Sequence, residues 1–240
     1  MPGVYHETDA IIKKTATGRL LFMVSLGRDT ACFLDLFSKR TTLARHAFVH
    51  YTAYETMLPY QARHLAYLEK RYKISVDVRP DPRSIAFGLA GVAEERDMLL
   101  EKYGCMYQVL GYRMDESLQR RGMLKRFSDG MDDKTRECYP LRSWTSRITD
   151  AYVRTNHVLL APEYSYGFRD SRNHRGQKAL LLRAISEEDY LAAIAQDPQI
   201  EVDYVRHSER LASQQAADIP DEEDGAVGVD GSTLQPSQDI

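Results

Sequence analysis

The feature of this sequence that most constrains its fold is an apolar run that passes directly into a polar turn and then into a helical repeat. Residues 20–24 are all apolar, a length that suits a buried strand and is far too short to cross a membrane. A polar turn at residues 25–29 follows, after which Phe33, Leu34 and Phe37 recur at helical spacing. The segment therefore predicts a strand, a tight loop and a helix.

The same alternation continues along the chain. It predicts helices at residues 59–72, 84–103 and 144–156, and strands at residues 47–51, 74–78, 106–110 and, as a short fifth strand, 139–141. Strands that alternate with helices favour right-handed βαβ units. We therefore predict an α/β fold, with a mainly parallel sheet of about five strands and helices on both faces. In such sheets, ligands bind beyond the carboxyl ends of the strands.

The two ends of the chain carry weaker patterns. Residues 1–17 are polar and predict an irregular N-terminal extension, and residues 18–211 are predicted to form the domain. Within the domain, residues 179–184 and 202–205 suggest late strands, and residues 187–195 suggest a helix. Residues 212–240 lack aromatic side chains and are rich in Gly, Ser, Asp, Gln and Pro, so they predict a disordered acidic tail.

The charge is distributed unevenly between the body and the tail. Seven of the 35 acidic residues lie beyond residue 211, where no Lys or Arg occurs, so the 32 basic residues exceed the other 28 acidic ones by four. A mildly basic body suits a phosphate-bearing ligand. The longest apolar runs are too short for a membrane span, and we expect a cytoplasmic protein with no membrane partner.

The first polar turn has the composition of a phosphate-binding loop. Gly27 allows close approach of the backbone, Ser25 and Thr30 supply hydroxyl donors, and Arg28 adds a positive charge. The loop matches neither the Walker A pattern nor GxGxxG. The alternative is an ordinary strand-to-helix turn in which Asp29 or Thr30 caps the helix.

Two further polar segments follow later strands. In the first, Gly111, Arg113, Arg120 and Arg121 surround two carboxylates, an arrangement that suits a polyanion or, alternatively, a set of surface salt bridges. The second runs from residue 139 to residue 175 and holds the single tryptophan, several tyrosines and a basic cluster that includes Arg172. A buried core tryptophan is the alternative explanation for Trp144.

Taken in order, the three segments resemble the PAPS reductase-like family of the PP-loop, adenine nucleotide alpha hydrolase-like superfamily. The first resembles the family's SGGxD[ST] loop, with Leu26 in place of the second glycine. Residues 110–121 resemble its GxRxxES…R segment, and residues 139–167 its PL-x-W-[ST]…aY…P-x-Y…G region. The resemblance spans roughly residues 18–175 and implies the adenine nucleotide alpha hydrolase-like fold.

The resemblance also implies roles for individual residues. Asp29 and Arg113 are expected as catalytic residues, and no metal-ligating residue is assigned. A bound adenine nucleotide, ATP or a sulfonucleotide, is expected, together with Mg²⁺ if ATP is the substrate. The residues expected to bind the nucleotide are Ser25, Gly27, Arg28, Thr30, Gly111, Arg120 and Arg172.

The cysteines depart from the family pattern. The reductases carry a nucleophilic cysteine near the C-terminus, whereas the last cysteine here is Cys138. Cys32 and Cys105 are likewise isolated, and no CxxC occurs, so no iron–sulfur cluster is expected. A thiol-dependent reductase mechanism is therefore not predicted.

Three functions remain open at this point. The first is an enzyme that acts at the α-phosphate of an adenine nucleotide or at a sulfur attached to it. The second is a catalytically degenerate protein that binds a nucleotide or a nucleic acid without turnover. The third is an interaction protein whose acidic tail binds a basic partner. The sequence is compatible with a homo-oligomer in each case.

Overall fold

A six-stranded sheet forms the centre of the protein. The computed structural model describes residues 2–15, 17–52, 57–81, 88–162, 164 and 175–217. The strand order is β3-β2-β1-β4-β6-β5, and every neighbouring pair is parallel except β5 with β6. The strands are β1 (Leu20–Met23), β2 (Ala47–Thr52), β3 (Val76–Pro80), β4 (Tyr107–Val109), β5 (Met131–Asp132) and β6 (Glu137–Cys138).

Helices cover both faces of this sheet, as predicted. Phe22 and Phe48 stack on one face and join a core cluster that also holds Phe33 of the second helix. The other face packs Leu21 and Val49 against the fourth helix. The helices are α1 (Pro2–Thr15), α2 (Arg28–Ser38), α3 (Pro59–Tyr72), α4 (Gly88–Lys102), α5 (Leu118–Leu124), α6 (Ser146–Thr155), α7 (Arg175–Ile185), α8 (Glu187–Gln196) and α9 (Gln199–Ala217), with a short 3₁₀ turn at Leu43–Arg45.

Three predictions about secondary structure are wrong. The N-terminal residues are not irregular, because Pro2–Thr15 forms α1. The expected strand at residues 179–184 lies within α7, and the expected strand at 202–205 lies within α9. In the first segment, Ala179 and Leu182 are both buried in a cluster between the C-terminal helices and α3. They are three positions apart, so they share one face of a helix and would point to opposite faces of a strand.

The ends of other elements differ from the prediction by smaller amounts. The short strand expected at residues 139–141 is displaced: those residues form no strand, and the neighbouring strand β6 ends at Cys138. Helix α9 continues to Ala217, past the predicted start of the tail, and residues 218–240 lie outside the described residues. The domain limits at residues 18 and 211 stay predictions. None of the described helices has the length and apolar character needed to cross a membrane.

Helix α1 belongs to the core through a buried polar contact. The Thr8 hydroxyl donates to the Pro140 carbonyl at 2.8 Å and accepts from the indole N–H of Trp144 at 2.8 Å. Ile11 and Ile12 are buried in the main core cluster beside this contact. Trp144 is fully buried, so it is a core tryptophan, the alternative that the sequence left open.

Replacing Thr8 with valine is expected to destabilise the protein. The variant keeps the volume of the side chain but leaves the Trp144 indole N–H and the Pro140 carbonyl buried without their partner. The free energy of unfolding should fall by about 2 kcal/mol, measured by urea unfolding followed through the fluorescence of Trp144. The control is Thr17→Val at an exposed threonine; equal stability of the two variants would contradict the proposed anchoring of α1.

Candidate functional site

The loop between β1 and α2 presents backbone amides at the carboxyl end of β1. Gly27 is the N-cap of α2, with an extended backbone and no side-chain cap of its own. The amide N–H groups of Asp29 and Thr30 have no acceptor among the described residues. Leu26, which replaces a glycine of the family pattern, is buried in the core cluster and so does not fill the bend. The loop therefore keeps the amide geometry that suits an anion.

Hydroxyl groups occupy the open side of this loop. The Ser25 and Thr30 hydroxyls contact each other at 2.6 Å. The Tyr164 hydroxyl oxygen accepts a hydrogen bond from the Arg28 amide at 2.8 Å. A Cβ atom at Gly27 would lie 3.3 Å from the Ser25 hydroxyl and 3.6 Å from that of Tyr164, so the glycine permits this close arrangement.

Arg113 links the loop after β4 to the start of α2. Its Nε atom lies 3.0 Å from a carboxylate oxygen of Asp29, and its Nη1 atom lies 2.8 Å from Asp115. Glu116 is a third carboxylate, 3.9 Å away. The Arg113 side chain is only 5% exposed, so these carboxylates neutralise a cation that is nearly out of contact with water.

Helix α6 is joined to the same network. The Arg28 guanidinium contacts Asp150 of α6 at 2.5 Å, and Asp115 accepts a hydrogen bond from the Ser146 amide at 2.5 Å. Asp115 therefore caps the N-terminus of α6 while it pairs with Arg113. The three predicted segments consequently meet at one edge of the sheet, where α2 and α6 begin.

The other predicted site residues take different positions. Arg120 stacks on the ring of Tyr112, with its guanidinium carbon 3.2 Å from the ring centre, and lies 3.6 Å from Glu116. Gly111 provides space: a Cβ atom there would lie 3.2 Å from Phe33 and 3.3 Å from Asp29. Arg172 lies outside the described residues.

Burial and charge act in opposite directions on Asp29. Burial raises the pKa of this carboxyl, and the attraction of Arg113 and Arg28 offsets only part of that rise. Asp115 adds a small repulsion. In the part of the chain that the structure describes, four carboxylates face three arginines around the loop: Asp29, Asp115, Glu116 and Asp150 against Arg28, Arg113 and Arg120. The site is thus internally paired, and its arginines are already engaged with carboxylates.

The thiols are remote from solvent. Cys32, Cys105 and Cys138 are all buried and unpaired. Burial raises the pKa of each thiol, which disfavours the thiolate that a nucleophile requires. Among the described residues, no group of three or more His, Cys, Asp or Glu side chains is arranged to hold a metal ion.

Sequence reasoning missed the contributions of Ser146, Asp150 and Tyr164 to this site. Tyr164 belongs to a motif that the sequence showed, but nothing in the motif indicates that its hydroxyl reaches the amide of Arg28, 136 residues away. Asp150 lies one turn into a helix that was predicted, on the side that faces α2. An acidic residue at that position carries no signal of its own.

Comparison with solved structures finds similar chains at low sequence identity. FMN adenylyltransferase from Candida glabrata, in complex with ATP, aligns with a TM-score of 0.51 at 16% identity over 69% of this chain and 58% of that chain. PAPS reductase from Candida auris aligns with a TM-score of 0.45 at 11% identity, over 68% of this chain and 86% of that chain. U34-tRNA thiolase from Methanococcus maripaludis aligns with a TM-score of 0.46 at 13% identity, over 87% of this chain and 78% of that chain.

No family model and no curated protein matches the sequence. The alignment with the adenylyltransferase, the one of these three with a TM-score above 0.5, shows the fold alone. The protein therefore shares the α/β fold of that adenylyltransferase, which agrees with the mainly parallel sheet and two helical layers predicted from the sequence.

Removing the buried cation is expected to destabilise the whole edge of the sheet. Arg113→Met leaves Asp29, Asp115 and Glu116 without their common partner, and the free energy of unfolding should fall by about 3 kcal/mol at pH 8. The control is Arg126→Met at an exposed arginine, which should change the free energy of unfolding by less than about 0.5 kcal/mol.

The stability lost in the Arg113→Met variant, measured as the free energy of unfolding, should depend on pH. Loss of the arginine raises the pKa of Asp29 further, so protonation in acid relieves the repulsion among the carboxylates. Urea unfolding at pH 8 and pH 5 should therefore show a smaller difference from wild type at pH 5. A deficit that stays constant between the two pH values would contradict the ionic role.

The three thiols should react only after unfolding. Ellman's reagent is expected to label the native protein slowly and to titrate three equivalents at once in guanidinium chloride, since every cysteine is buried. Rapid labelling of one thiol in the native protein would contradict this expectation and would identify a reactive cysteine.

Proposed function

We propose that this protein binds an adenine nucleotide, ATP or a sulfonucleotide, with its phosphates at the loop of residues 25–30. The observation that carries the proposal is the convergence of three separate segments on that loop. Asp29 meets Arg113 at 3.0 Å, Arg28 meets Asp150 at 2.5 Å, and the Arg28 amide meets Tyr164 at 2.8 Å. The fold places this convergence at the carboxyl ends of β1 and β4, where ligands of parallel sheets bind.

The backbone supplies the phosphate contacts in this proposal. The amides of Asp29 and Thr30 point out of the first turn of α2, at the positive end of the helix dipole. Gly27 leaves room above the turn, and the hydroxyls of Ser25 and Thr30 can rotate from each other to a phosphate oxygen. The Arg28 side chain contacts Asp150 of α6, while its amide belongs to the loop.

A divalent cation would help an anionic ligand at this site. Among the described residues around the loop, the carboxylates outnumber the arginines by one, so these side chains alone give a bare polyphosphate little net attraction. The described residues form no protein-only metal cluster, and Mg²⁺ commonly binds through one or two carboxylates together with substrate phosphates. In this proposal, the carboxylate that binds Mg²⁺ is that of Asp29, which lies in the first turn of α2.

The reaction proposed is transfer at the α-phosphate of the nucleotide, or at a sulfur attached to it, without a protein thiol. Arg113 and Asp29 stand together beside the loop. A buried arginine can stabilise charge that develops on a phosphate, because electrostatic interactions are strong where water is excluded. The buried thiols support a reaction that differs from that of the thiol-dependent reductases.

Binding of a nucleotide or a nucleic acid without turnover is the second candidate. It is favoured by the paired state of the arginines, since Arg28, Arg113 and Arg120 each contact a carboxylate before any ligand arrives. Release of AMP or pyrophosphate from ATP would exclude this candidate. Band shifts of DNA or RNA across a salt series, with no product release, would support it.

Gly27→Asp tests the proposed phosphate site. Calorimetric titration of wild type with ATP and Mg²⁺, AMP, and a sulfonucleotide should detect binding, and the variant should bind at least tenfold more weakly. Aspartate is a favoured N-cap residue, so the variant should keep α2 stable while its carboxylate occupies the anion site and repels phosphate.

The matched control is Gly3→Asp, an exposed glycine in the first turn of α1 with no neighbour near its added Cβ atom. This variant should bind as wild type does. Absence of nucleotide binding by wild type, or equal affinity in Gly27→Asp, would refute the proposal.

A further inference from the structure

The Tyr164 hydroxyl occupies a position that a phosphate oxygen would need. It accepts from the Arg28 amide, the first amide of α2, at 2.8 Å. It also lies 3.6 Å from the point where a Cβ atom of Gly27 would stand, directly over the loop. The contact joins residues 136 positions apart, so it is a feature of the tertiary structure and not of a local turn.

Side-chain hydroxyl groups accept from two of the loop's amides, those of Gly27 and Arg28. Ser25 and Thr30 contact each other at 2.6 Å, and the Gly27 amide donates to the Ser25 hydroxyl at 3.4 Å. The Tyr164 hydroxyl is the third of these oxygens and accepts the hydrogen bond of the Arg28 amide. Three side-chain oxygens thus stand where an anion at the start of α2 would place its own.

A charged ligand can replace these neutral acceptors. Hydrogen bonds from amides to an anion are roughly twice as strong as those to a neutral oxygen. The Ser25 and Thr30 hydroxyls can rotate in place and then donate to the ligand. A tyrosine hydroxyl is fixed to a rigid ring, so it leaves the amide only if the whole side chain moves.

Tyr164 is anchored through its backbone. Its backbone amide donates to the carbonyl of Ala161 at 3.1 Å, and Ala161 is buried in the main core cluster. The Tyr164 ring itself is partly buried against that cluster. To displace the hydroxyl, the Tyr164 side chain therefore has to rotate while its backbone stays in place. Such a rotation would open or close access to the Arg28 amide.

We propose that Tyr164 gates the phosphate loop: its hydroxyl closes the Arg28 amide in the ligand-free protein, and an anionic ligand must displace it to bind. This inference rests on the proposed function, since it names the step that controls access to the same loop. The gate makes the affinity for phosphate lower than the amides alone would give, because part of the binding energy is used to displace an existing hydrogen bond.

Tyr164→Phe in the full-length protein tests the gate. Phenylalanine keeps the ring and its packing but removes the competing oxygen. The dissociation constants of ATP with Mg²⁺ and of inorganic pyrophosphate, measured calorimetrically, should fall by up to about tenfold relative to wild type, the equivalent of one ordinary hydrogen bond. Tyr107→Phe is the control, because it removes a tyrosine hydroxyl that contacts Asp133 at the opposite end of the sheet; its affinities should equal those of wild type.

The hydrogen-exchange rate of the Arg28 amide gives a second measurement. If the Tyr164 hydroxyl does not cover this amide, the rate should not change in the variant. In ligand-free Tyr164→Phe, hydrogen exchange at this amide should be faster than in wild type. With saturating ATP the two proteins should show equal protection. Equal exchange in the ligand-free proteins would overturn the gate, and comparison of their thermal midpoints checks that the variant is folded.

The outcomes separate the gate from the proposed function. Tighter binding by Tyr164→Phe, or binding by the variant alone, supports both. Equal or weaker binding by the variant, where wild type binds, overturns the gate and leaves the nucleotide site standing. Absence of binding by both proteins overturns both.

Discussion

The organisation of the site depends on one buried cation. Arg113 is almost excluded from solvent, and a guanidinium keeps its charge under all ordinary conditions. It must therefore meet negative charge where it lies, and Asp29 and Asp115 provide it. Because Asp29 begins α2 and Asp115 caps α6, the pairing fixes the start of two helices relative to the end of β4. The geometry of the loop is thus an electrostatic requirement as much as a result of hydrophobic packing.

Strands β1 to β4 could be predicted from their apolar patterns and the polar turns that follow them, whereas β5, with two residues, has no such pattern. Residues 20–24 form an apolar run that a polar turn ends at once, and the next helix shows a regular apolar spacing. Parallel pairing then follows from the alternation of strands and helices. The family resemblance adds the fold type, and the shared fold of solved structures confirms it. The ends of the elements could not be predicted from the sequence. Strand β6, for example, ends at Cys138 because its length depends on pairing with β4.

The terminal helices escaped prediction for a physical reason. Residues 179–184 are a short apolar run, which suits a strand or a buried helix equally well until its neighbours are known. Residues 2–15 lack a strong apolar face, and they become helical where Ile11, Ile12 and Tyr5 find a place against Trp144. Ser25, Gly27 and Asp29 were correctly placed between the first strand and the body of the next helix, and Arg113 after the fourth strand, but the contacts of these residues were not predicted. The arginines that suggested a phosphate site form ion pairs with carboxylates: Arg28 with Asp150, Arg113 with Asp115, and Arg120 with Glu116. Such pairing neutralises charges that the fold removes from water.

The bridge from Thr8 to Pro140 and Trp144 has a consequence for the order of assembly. Its partners are separated by 132 and 136 positions, so the first helix emerges from the ribosome long before its binding place exists. Until Trp144 is synthesised, Ile11 and Ile12 stay uncovered, and contacts between distant residues form slowly. Helix α1 is therefore synthesised well before Trp144, and the contact between Thr8 and the indole can form only after residue 144 has left the ribosome.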